Sequence, residues 1–79
     1  MSEIIIYSKR NCPYCIHAKN LLTSIGLSFK EVDLTNDAEK LKILVETTQH
    51  RTVPQIFIDS KFIGGFDSLV KLHEAGKLK

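Results

Sequence analysis

Two thiols separated by two residues, Cys12-Pro13-Tyr14-Cys15, are the only cysteines in this 79-residue chain. A pair at this spacing can close a disulfide and open it again by exchange with an outside thiol, the thiolate being the nucleophile. A free cysteine, with a pKa near ~8.5, is only a few per cent ionised at neutral pH, so one of the two must be activated. Pro13 suits the first position of a helix, where its missing N–H costs nothing, and Cys12 is then the expected N-cap. Unpaired N–H groups and the macrodipole favour negative charge there, and Lys9 and Arg10 add positive charge nearby. Cys12 is therefore the expected attacking thiol, and Cys15, one turn into the helix, the resolving thiol. Cβ atoms at i and i+3 of a regular helix lie roughly 5–6 Å apart, against about 3.5–4.5 Å in a disulfide. Cys12 must leave helical geometry to close the bond, as an N-cap does, and a bond closed this tightly is expected to be reversible.

A metal site is the sharpest rival for the pair. Zinc normally takes four ligands, and His17, His50 and His73 lack the H-x₃₋₅-H spacing. His17 also misses the haem-attachment position by one residue, so no metal is expected.

The elements that must position the thiols follow from the pattern around them. Glu3 to Ser8, with three consecutive isoleucines, reads as a strand buried on both faces. Ala18, Leu21, Leu22 and Ile25 give a helix from Pro13 to about Ile25, stopped by Gly26. Phe29 to Leu34 is a second strand, and Asn36 or Asp37 caps a helix with Leu41, Leu44 and Val45 on its buried stripe. Gln55–Ile58 and Lys61–Ile63 are short strands around an Asp59-Ser60 turn. Gly64-Gly65 breaks the chain, and Asp67 to Ala75 is helical through Leu69, Val70, Leu72 and His73, with Gly76 as its stop. The order βαβαββα predicts an α/β fold. A right-handed parallel βαβ unit and an antiparallel hairpin make one four-stranded mixed sheet, flanked by three helices on both faces. The cysteines fall at the carboxyl end of the first strand, where open α/β sheets place their chemistry.

Composition narrows the rest. A hydrophobic content of 43%, a charged content of 25% and a net charge of +2 without a Lys/Arg cluster predict a globular protein with no nucleic-acid partner. No aliphatic run exceeds three residues, which is too short for a membrane helix or a secretory leader. A single monomeric domain over residues 1–79 in the cytoplasm is expected, a reducing setting where a lone cysteine pair is more often catalytic or metal-binding than structural.

Three segments in this order, Tyr7-Ser8-Lys9-Arg10-Asn11-Cys12-Pro13-Tyr14-Cys15, Arg51-Thr52-Val53-Pro54-Gln55-Ile56-Phe57-Ile58 and Gly64-Gly65-Phe66-Asp67-Ser68-Leu69, closely resemble the dithiol glutaredoxins. One C-x-x-C is a weak signal; with T-V-P and G-G-x-D/S it is highly specific, and the match spans essentially the whole chain. The resemblance implies a thioredoxin fold and a glutathione-dependent thiol–disulfide oxidoreductase with no tightly bound cofactor. Glutathione is the implied co-substrate. Disulfide-containing or glutathionylated proteins are the implied clients, ribonucleotide reductase being one candidate.

The resemblance also distributes roles over the site. The family holds the proline corresponding to Pro54 cis beside the cysteines, although by itself a proline opening a strand needs no such reading. Thr52, Val53 and Pro54 would then offer backbone to glutathione, which could pair as an added strand. Its γ-glutamyl end is placed at Gly65, Phe66, Asp67 and Ser68, where a helix start attracts a carboxylate. The plain alternative for Asp67 is an ordinary helix cap. Tyr14 would flank the ligand, and Lys9 would meet the glycine carboxylate unless it is only a solvated charge; Arg51 is left open. Phe66 and Gln49 depart from the family, whose members often carry Cys or Tyr at the first position and Gly at the second. Two other functions compete: an iron–sulfur carrier sharing a cluster through Cys12 and glutathione, and a redoxin reduced by thioredoxin reductase. The Gly64-Gly65-Phe66-Asp67 turn argues against the second.

Overall fold

In the computed structural model, which describes residues 3–78, the chain runs β1 (Ile4–Ser8), α1 (Pro13–Ser24), β2 (Lys30–Asp33), α2 (Ala38–Thr48), β3 (Gln55–Ile58), β4 (Lys61–Gly64) and α3 (Phe66–Glu74). The strands form one mixed sheet in the order β2-β1-β3-β4. β1 lies parallel to β2, with Tyr7 opposite Val32, and antiparallel to β3, with Ile6 opposite Ile56. Asp59 and Ser60 both take positive φ, 50° and 69°, which is the two-residue turn whose twist matches a hairpin. The expected βαβαββα order is thus the observed one.

The main core lies on one face of the sheet. Ile4 and Ile6 of β1 and Ile56 of β3 pack with Ala18 and Leu22 of α1, Leu69 of α3, and Leu78. A fully buried aliphatic side chain of this kind contributes roughly 1.5–3 kcal/mol. The expectation that β1 is equally buried on both faces is corrected. Ile4, Ile6 and Ser8 are buried, while the intervening Ile5 and Tyr7 are half-exposed. On that second face Tyr7 meets Phe57 edge-to-face and Phe57 meets Phe62 at a tilt, with centroids 5.5 and 5.4 Å apart, in a row that is itself only half-buried. Of the predicted α2 stripe only Leu44 is buried, with Leu41 and Val45 at the margin.

Local signals set the helix ends. Cys12 holds extended backbone (φ −114°, ψ 100°) ahead of Pro13, and α1 closes over Ile25. Asp37, not Asn36, caps α2, its carboxylate accepting from the Lys40 N–H at 3.1 Å. α2 ends on Gln49 in the left-handed region, φ 60°, with the side-chain Nε2 donating to the Glu46 carbonyl at 2.7 Å. α3 starts one residue before the expected Asp67, with Gly65 as N-cap.

Candidate active site

The sequence carries the chain from β1 into α1 through Lys9, Arg10 and Asn11, the last at φ 59°. The neighbouring end of β2 ties down this loop. The Arg10 N–H donates to Thr35 Oγ1 at 2.7 Å, the Thr35 hydroxyl donates to Asp33 Oδ1 at 2.5 Å, and the Leu34 N–H donates to the Ser8 carbonyl at 2.8 Å. The Thr35 hydroxyl, and then its N–H, hold the Asp33 carboxyl below the usual carboxylate range. A second tie sits beneath it. Buried Ser8 donates to Glu31 at 2.6 Å, and Lys19 of α1 pairs with the same oxygen at 2.8 Å. Lys19 first and Ser8 second hold the Glu31 carboxyl low. Both ties fix the end of β1 from which Cys12 departs.

Cys12 and Cys15 form a disulfide with Cα atoms 5.2 Å apart, well within disulfide reach. Their environments differ. Cys12 is half-exposed, whereas Cys15 is 1% exposed and packed into the helix. An incoming thiol therefore meets Cys12 first. The Cys15 N–H donates to Cys12 Sγ at 3.2 Å, so a backbone donor already points at the atom that bears the charge in a thiolate. The Val53 carbonyl lies 3.7 Å from the same sulfur.

Val53 also forms part of a cleft of about 360 Å³ beside Cys12. One wall is Thr52, Val53 and Pro54, with the Val53–Pro54 bond cis. The opposite wall is the start of α3, with Gly65, Phe66, Asp67 and Ser68, and Tyr14 closes the α1 side. α3 starts on Gly65 without a side-chain cap, which leaves Asp67 in the first turn rather than in the capping role. Gly64, at φ 119°, permits this turn, because a Cβ there would run into the Ser68 side chain. Tyr14 is 61% exposed and stacks on Phe66 at 6.1 Å, and His17 lies 5.7 Å from Phe66. The structure thus gathers residues from three distant segments into one groove. Lys9 and Arg51 are exposed and stand outside the residues that line it. His50 does line it, although its spacing had marked it only as a failed metal ligand. Its one sequence signal is adjacency to Arg51-Thr52-Val53-Pro54.

A reactive disulfide at a helix N-terminus, unequally exposed and flanked by a groove, is built for thiol–disulfide exchange. The glutaredoxin family profile matches residues 4–63. The chain belongs to the glutaredoxin family. Glutaredoxin 3 of Escherichia coli (strain K12) is 45% identical over 78 residues, a match covering 99% of this chain and 94% of that protein. Glutaredoxin-C2 of Arabidopsis thaliana is 42% identical over 79 residues, covering 96% and 71%. Among solved structures, a buckwheat glutaredoxin–glutathione complex superposes with a TM-score of 0.89 at 34% identity, covering 98% of this chain and 73% of that one. Glutaredoxin 1 from Francisella tularensis, complexed with cacodylate, gives 0.85 at 32% identity, with both chains covered over 100%. This glutaredoxin accordingly has the thioredoxin fold, with Cys12–Cys15 as the redox-active disulfide of a thiol–disulfide oxidoreductase.

Proposed function

We propose that this glutaredoxin uses glutathione as its electron donor and reduces both glutathionylated proteins and protein disulfides. The observation that carries this reading is the groove beside Cys12, where a peptide-like wall at Val53 faces the start of α3 across a space sized for a short peptide. It is supported by a buckwheat relative of the same fold, whose structure is a complex with glutathione.

The Cys12 thiolate attacks the glutathione sulfur of a mixed disulfide, and the protein thiolate leaves and takes up a proton. A second glutathione thiolate then attacks the glutathione sulfur now bound to Cys12, releasing oxidised glutathione and regenerating the Cys12 thiolate. On a protein disulfide, Cys12 forms a mixed disulfide with one client sulfur. Cys15 attacks Cys12, freeing the client dithiol and closing Cys12–Cys15, which two glutathiones reopen with formation of oxidised glutathione. The buried position of Cys15 suits it to this internal step alone. One chain supplies both cysteines and the groove, so the working unit is a monomer, and a reducing cytoplasm supplies the glutathione.

Trapping tests the reading. Cys15→Ser mixed with oxidised glutathione should acquire one glutathionyl group on Cys12, read by mass spectrometry, and fresh glutathione should remove it. Absence of the adduct, together with efficient reduction of the wild-type disulfide by thioredoxin reductase, would replace glutathione by a reductase partner.

A further inference from the structure

We infer that His50 is a specificity-determining residue, selecting thiols that carry a free α-amino-acid head such as the γ-glutamyl end of glutathione; this rests on the glutathione reading above. Among the residues that line the cleft, His50 is the one with a basic side chain and Asp67 the one with an acidic side chain. A γ-glutamyl head presents a carboxylate and an ammonium on one carbon, so a basic and an acidic group at the same end of a groove match it. His50 stands at that end. Its Nε2 lies 3.5 Å from where a side chain on Gly65 would begin, next to the first turn of α3 that carries Asp67.

The backbone that carries the ring is anchored by hydrogen bonds, and the ring itself by two contacts. The buried Gln55 side chain donates to the His50 carbonyl at 2.5 Å, and the His50 N–H donates to Thr48 Oγ1 at 3.2 Å. Thr48 in turn donates to Gln55 Oε1 at 2.9 Å, closing a small polar network under the segment. The imidazole packs 5.5 Å from the Phe62 ring, and Nε2 shares a hydrogen bond with Thr52 Oγ1 at 3.3 Å. A ring fixed this way loses little freedom when a ligand arrives, so its N–H donor counts almost fully toward binding. His50 is only half-exposed and lines the groove, with Nε2 on the side of Gly65.

The test is single-turnover reduction of the Cys12–Cys15 disulfide by three thiols. Glutathione and γ-glutamylcysteine keep the head; cysteinylglycine lacks it. In His50→Ala, the preference for glutathione over cysteinylglycine should fall about tenfold, the order expected for a lost charge-assisted hydrogen bond. The preference between glutathione and γ-glutamylcysteine should stay as in the wild type. His50→Gln, which keeps an N–H donor, should retain part of the first preference. An unchanged preference in His50→Ala overturns the inference, as does a change confined to the glycine-bearing end. A uniform loss with all three thiols alongside a lowered melting temperature also overturns it, because that marks a purely structural residue. A wild-type protein that shows no preference for glutathione over cysteinylglycine overturns the glutathione reading itself.

Discussion

At the scale of single residues, the division between Cys12 and Cys15 follows from two physical facts: unequal exposure and the N–H of Cys15 aimed at Cys12 Sγ. In the reduced protein that donor and the other free N–H groups of the first turn of α1 stabilise the Cys12 thiolate. The rate of alkylation of Cys12 against pH should therefore have its midpoint below the free-thiol value of ~8.5, and a midpoint above it would deny the helix start its activating role. Asp67 makes a second case. Because α3 is capped by Gly65, removal of the Asp67 carboxylate takes away only a favourable charge near a helix N-terminus, about 0.3–1 kcal/mol. Asp67→Ala should raise the KM for glutathione about fivefold or more, as expected for a charged hydrogen bond, with little change in melting temperature. An unaltered KM would move Asp67 out of the site. The residues on short local motifs were legible in sequence: Cys12 and Pro13 announce a helix start by type and order alone, while Gly64-Gly65 and Asp67 mark the second start only to within a residue. His50 was not, because what brings it to the groove is a buried Gln55–Thr48 network that exists only after folding.

At the scale of elements, the cysteine loop is positioned by the end of β2, and neither contact can be read from spacing. Ser8, Lys19 and Glu31 come together only when β1, α1 and β2 pack, as do Arg10, Asp33 and Thr35. The Lys19 and Glu31 side chains are 30% and 37% exposed, so screening holds their ion pair to about 1 kcal/mol or less. Loss of the acceptor for the buried Ser8 hydroxyl costs more, about 1–3 kcal/mol. Glu31→Ala should lower stability by more than Glu31→Gln, which keeps an acceptor for Ser8. The sign of the pH dependence follows from the depressed Glu31 carboxyl. Its stabilisation is fully present above the ordinary carboxylate value of about 4.3 and is lost as pH falls through the lower folded value. Thermal melts of wild type and Glu31→Gln should therefore differ at neutral pH and converge in strong acid, where the neutral carboxyl still accepts from Ser8 as the amide does; a gap that persists there would mean the difference is not electrostatic. The strand and helix order was legible from periodicity and turn residues such as Asp59-Ser60. The one-sided burial of β1 was not, since Ile4-Ile5-Ile6 is equally apolar on both faces and only the packing of α1 and α3 distinguishes them. Gln49 shows the same limit, as a left-handed helix end at a residue whose type does not announce it.

At the scale of the whole molecule, a small domain brings three segments to one end of its sheet: the loop after β1, the segment before β3 and the turn into α3. The core that fixes their relative positions is built from those same elements, with Ile6, Leu22, Ile56 and Leu69 at its centre. Both cysteines and the groove belong to these elements, so on the proposed function the protein alone should catalyse the complete cycle once glutathione is supplied. The measurement that tests this most directly is steady-state reduction of a glutathione mixed disulfide, coupled to glutathione reductase, for the wild type, Cys12→Ser and Cys15→Ser. The wild type and Cys15→Ser should turn over, Cys12→Ser should not, and Cys15→Ser alone among the active forms should fail on a protein disulfide. Appreciable turnover by Cys12→Ser, or no glutathione-dependent turnover by the wild type, would contradict the account.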